Sequence, residues 1–78
     1  MKPLKRKTIS AREIVKKYGI KYHTLNYYAA IGLLPVAGKI GNERVFEQFQ
    51  VSRRLAKISK MSKEGYPLHL IRKKIMGF

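Results

Sequence analysis

One stretch, Lys21 to Pro35, does most to limit what this chain can fold into. It reads KYHTLNYYAAIGLLP. Leu25, Tyr28 and Ile31 recur at three-residue steps, the spacing of one helical face. Gly32 offers a stop, Leu33 and Leu34 form an apolar exit, and Pro35 prevents the helix from resuming. Tyr22, His23, Asn26 and Tyr27 lie off the apolar face and remain available to a partner. The stretch therefore predicts a helix with one committed face, a polar N-terminal half and a sharp end.

Charge says what kind of partner that is. Eighteen Lys and Arg stand against four Asp and Glu in 78 residues, a net charge of +14. Self-repulsion of this size disfavours a compact monomer unless salt or a partner screens it. Polyanions are the matching partners, nucleic acid before an anionic membrane surface. The length suits one domain with one small core. With no cysteine, disulfides and thiolate metal sites are excluded, which is compatible with a reducing compartment. His23 and His69 lie far apart with no carboxylate at ligand spacing, so neither metal nor cofactor is expected. Four scattered acids and no nucleophile–base pair leave no chemistry for an enzyme. No apolar run approaches the ~18–20 residues that span a bilayer. The basic N-terminus leads into no apolar signal core.

In chain order, Met1 to Lys7 form a basic tail without periodicity, expected to be mobile and able to reach phosphates. Ser10 followed by Glu13 is a capping-box pattern, with Ile9 and Ile14 spaced as a hydrophobic staple. A first helix is predicted from Ala11 to Tyr18, its stripe Ile14, Val15 and Tyr18, with Gly19 at its end. The second helix follows after almost no linker, which makes a helix-turn-helix candidate. Val36 to Lys39 and Glu43 to Phe46 flank Ile40-Gly41-Asn42 and predict a small hairpin, leaning on the helices through Val45 or Phe46. A third helix is predicted from near Glu47 to about Lys63, its stripe Val51, Leu55, Ile58 and Met61 or Ser62, with Phe49 packed at its start. Gly65 breaks it. Leu68 to Met76 form a fourth helix with Leu68, Ile71 and Ile75 inward.

Four motifs in order then resemble the DNA-binding domain of the MerR family: Thr24-Leu25-Asn26-Tyr27-Tyr28, Gly32-Leu33-Leu34-Pro35, Arg44-Val45-Phe46, and Gly65-Tyr66-Pro67-Leu68 with Ile71. The resemblance runs from about Thr8 to Ile75. It implies a mainly α fold, a winged helix-turn-helix of four short helices with a two-stranded β-wing over residues 8–78, behind the flexible tail 1–7. Two positions depart from the family pattern: Asn26 stands where it has arginine, and Ala29 where it has glutamate. Family regulators continue into a long dimerising helix, whereas this sequence ends at Phe78. It is expected to be either the DNA-binding domain of a longer regulator, with a possible homodimer through a C-terminal region absent from this chain, or a small excisionase-like architectural protein. An RNA-binding basic protein of ribosomal type is a further alternative, although helix readout of a major groove does not suit A-form RNA. The family implies a cytoplasmic, bacterial, nucleoid-associated setting.

The second helix of such a unit enters the major groove by its N-terminal residues. Here these are Lys21, Tyr22, His23 and Asn26, and Asn26 has the groups to pair with adenine while Lys21 can reach guanine or phosphate. The resemblance implies a phosphate contact from the Tyr27 hydroxyl, with Tyr28 in the core. Arg44 is expected to anchor the wing near the DNA backbone or to pair with a helix, with Lys39 and Asn42 near the wing tip. Lys60 and Lys63 are expected to meet a flanking phosphate. For Arg53, Arg54, Lys73 and Lys74, solvent and contact are equal expectations.

Overall fold

Ser10 is where strand turns into helix. The structure, a computed structural model, describes residues 7–77. β1 (Thr8–Ser10) runs directly into α1 (Ala11–Tyr18). The Ser10 Oγ accepts from the Glu13 N–H at 3.2 Å, and the Glu13 Oε1 accepts from the Ser10 N–H at 3.0 Å. This reciprocal box satisfies two of the amides that a helix start leaves unpaired. α2 (Tyr22–Ala30) follows, then β2 (Val36–Ile40), β3 (Glu43–Glu47), α3 (Gln48–Lys63) and α4 (Leu68–Met76).

The helices stand as the sequence predicts, but the sheet has three strands instead of two, in the order β1-β3-β2 with both pairings antiparallel. Ile9 lies opposite Phe46, and both are buried. β1 covers the edge of β3 that a bare hairpin would leave open. The wing hairpin turns at Gly41-Asn42, and only Gly41 has positive φ (+64°). A positive φ at the first turn position alone matches a type II′ turn, where glycine is favoured. A bulge between Val36 and Gly38 shifts the register at the base of the wing.

The expected basic arm lies outside the described residues apart from Lys7, whose carbonyl accepts from the Gln48 N–H at 2.9 Å. Phe49 is a second correction. It is 64% exposed instead of packed, with the Arg53 guanidinium 5.7 Å from its ring centroid. The phase of α3 decides this: Val51 and Ile58 are buried, and a residue two positions before Val51 points about 200° around the helix from it. At the other end of the stripe Met61 is half-buried and Ser62 exposed.

Two apolar clusters form the interior. Ile9, Ala11, Ile14, Leu25, Leu34, Phe46 and Val51 make the first. Leu33, Ile58 and Ile71 make the second, and Tyr28 and Leu55 pack against both. The pair α3–α4 thus shares its core with the helix-turn-helix through α2. It also closes the end of α2. Gly32 has φ +85°, a conformation that side-chain-bearing residues rarely adopt, and a Cβ there would lie 3.5 Å from Met76. Beyond the last turn, the Arg72 Nε–H donates to the Ile31 carbonyl at 2.7 Å and the Arg54 Nη1–H to the Leu33 carbonyl at 2.9 Å. Charge-assisted bonds of this kind contribute about 1.5–3 kcal/mol each, and cations suit a helix C-terminus. α2 has no basic residue in its own last turn, so α3 and α4 supply them. Among the described residues no helix is long and apolar enough to cross a membrane.

Candidate nucleic-acid interface

Between Glu13 and Glu43 the chain carries no acid. That interval contains all of α2 and the wing strand β2. The two acids that bound it are engaged: Glu13 closes the cap of α1, and the Glu43 Oε2 accepts from the Arg12 N–H at 2.8 Å, with the Arg12 Nε 3.9 Å away. α2 and β2 therefore offer an anion no carboxylate of their own, and the carboxylate at the wing tip, Glu43, is held by Arg12.

The two ends of the helix-turn-helix are built differently. The start of α1 is shut by its capping box. The start of α2 follows Lys21 in extended conformation (φ −77°, ψ 150°), with no side-chain cap and no acid in the first turn. Its first-turn amides and the positive end of its dipole suit a phosphate or a base-edge acceptor. Lys21, Tyr22 and His23 are exposed there, and Tyr27 is 53% exposed one turn later. Leu25 is fully buried and Tyr28 half-buried on the opposite side. The second apolar stripe of the sequence is thus the core face, and its polar residues share the outer one. α3, behind Glu47, and α4, behind Pro67, also lack a side-chain cap.

On the wing, Lys39 pairs with Arg44 across the strands. Directly paired residues share a face, and like charges there repel by a few tenths of a kcal/mol up to about 1 kcal/mol. A shared anion removes that repulsion. Asn42 is exposed at the turn, and Ile40 beside it is 70% exposed. The Arg44 side chain is half-buried and reaches α2, its Nη1–H donating to the Asn26 Oδ1 at 3.0 Å. Consecutive residues of β3 therefore fasten the wing to both helices, Glu43 to α1 and Arg44 to α2.

The remaining basic residues divide. Lys63 lines an open groove of about 670 Å³ with Tyr18, Ile20 and Tyr28, which sets the end of α3 beside the turn that precedes α2. Lys60 lines a different groove, with Met61, Tyr66 and Lys74. Arg54 serves the Leu33 carbonyl, while Arg53, Lys73 and Lys74 are exposed. Sequence reasoning did not identify Arg12, Arg72 or the structural use of Arg54. The missing basic residue in the last turn of α2 is the one signal that pointed to foreign donors there.

A family model described as "MerR HTH family regulatory protein" matches residues 9–76. No curated protein and no solved structure matches the chain.

Proposed function

From the chain's membership of the MerR helix-turn-helix family of regulatory proteins, we propose that residues 8–78 form a unit that places the N-terminus of α2 in the major groove of duplex DNA. The uncapped start of α2, within a stretch free of acids that runs on through β2, carries this reading. Lys21, Tyr22 and His23 meet base edges at the groove floor or phosphates at its rim, and the Tyr27 hydroxyl meets a phosphate. Lys39, Asn42 and Arg44 track the backbone from the wing, with Asn26 at the junction of helix and wing. Lys63, beside the turn, reaches a flanking phosphate more directly than Lys60. A single domain with two or three base contacts binds one half-site weakly, so selective regulation needs a second copy on a second half-site.

Titration of duplex DNA at fixed salt tests the assignment. Lys21→Ala and His23→Ala should each weaken binding several-fold, and Lys73→Ala, on the exposed face of α4, by less than either. Equal losses for all three would count against α2 as the reading element. Duplex RNA should compete poorly, because its deep, narrow major groove does not admit a helix. Equal competition by RNA would favour a basic RNA-binding protein instead.

A further inference from the structure

Asn26 is one of two departures from the family pattern, and the structure gives it a partner. Its Oδ1 accepts the Arg44 Nη1–H at 3.0 Å across 18 residues of sequence, with both side chains half-buried. A guanidinium only donates, so it selects the oxygen of the carboxamide and turns the Nδ2 hydrogens away. Bidentate pairing with adenine needs that same oxygen to accept from the base, and one of its two lone pairs, with the orientation of the amide, is already taken by Arg44. On the other side of the bond, Arg44 keeps four of its five N–H groups for an anion. Arginine loses much rotamer freedom when it clamps a phosphate, and a side chain already held loses less. Lys39 stands directly opposite Arg44 on the wing, so a phosphate on that face can meet both cations.

We propose that Asn26 is a positioning residue, which acts on DNA through Arg44 by holding its guanidinium beside Lys39 at the phosphate backbone, and not by pairing with adenine. This rests on the duplex-binding reading above. It makes the clasp between α2 and the wing the device that sets the wing cations in register with the recognition helix.

The test is a cycle of Asn26→Ala, Arg44→Ala and the double variant, with duplex affinity measured over a range of salt. Asn26→Ala should weaken binding about two- to tenfold, the range of one hydrogen bond, on cognate and unrelated duplexes alike. Arg44→Ala should lower the salt slope by about one. Asn26→Ala should lower it too, although asparagine is uncharged, because an uncharged residue changes the slope only by moving a cation. In the Arg44→Ala background, Asn26→Ala should do nothing further. Additive losses, with an unchanged slope for Asn26→Ala and an effect confined to one DNA sequence, would overturn the proposal in favour of direct base reading. If the alanine variant does not fold, Asn26→Leu, matched in branching and heavy-atom number and unable to accept a hydrogen bond, gives the same comparison. Absence of salt-dependent duplex binding by the unaltered chain would defeat the DNA reading itself. A slope that falls for Arg44→Ala but not for Asn26→Ala or Asn26→Leu defeats only this inference.

Discussion

Phe46→Ala should leave this domain largely unfolded at room temperature. Phe46 is fully buried in β3, opposite Ile9 on one side and Val36 on the other. It belongs to the cluster that joins the sheet to α1, α2 and α3. Truncating a buried phenylalanine costs about 3–5 kcal/mol, transfer and cavity terms together. The core of a domain this small supplies only about 3–5 kcal/mol of net stability. The loss is therefore comparable to everything that holds the fold. Phe49→Ala is the matched control, the same residue type three positions later and mostly exposed. It should change stability by no more than about 0.5–1 kcal/mol, the worth of its exposed contact with Arg53. Urea titration followed by circular dichroism separates the two. Similar midpoints for both variants would mean that the three-stranded sheet is not where the core is anchored.

Salt should act on DNA binding almost as strongly as core truncation acts on folding. Each phosphate neutralised on a duplex adds about −0.9 to the log–log slope of affinity against salt. About five contacts, as from Lys21, Lys39, Arg44, Lys60 and Lys63, give a slope near −4.5 on that basis. Raising monovalent salt from about 50 to about 200 mM should then weaken binding by roughly 500-fold. Fluorescence anisotropy of a labelled duplex measures this directly. A slope near zero would mean that the +14 charge is not used on phosphates.

The elements that were legible in the sequence are those whose ends are written locally. Ser10 with Glu13 and then Gly19 delimit α1, and Pro67 and Gly77 delimit α4, each within a few residues of the bond that stops it. β1 was not legible. Three residues cannot display a strand's alternation, and its partner Phe46 lies far along the chain. Phe49 was misplaced because hydrophobicity reports that a residue can be buried, while helix phase reports whether it is. At the interface, exposure of Lys21, Tyr22, His23 and Tyr27 followed from the stripe Leu25 and Tyr28 opposite them. The bond between Asn26 and Arg44 did not follow. Both residues stood out as DNA candidates, and only the seating of the wing against α2 brings them together. Arg54 and Arg72 are the same case in a structural role, since cations of α3 and α4 meet the end of α2 only once the second core cluster has formed.

The most direct test of the interface is position-resolved. Amide chemical shifts of the nitrogen-15-labelled domain should be followed during titration with a duplex in moderate salt. The expected result is that the largest changes fall at Lys21 to Thr24 and at Lys39 to Arg44, with a smaller group at Lys63. The amides of Lys73 and Lys74, two exposed residues of α4, should stay close to their free positions. Changes centred on α4, with the start of α2 unmoved, would contradict the placement of α2 in the groove.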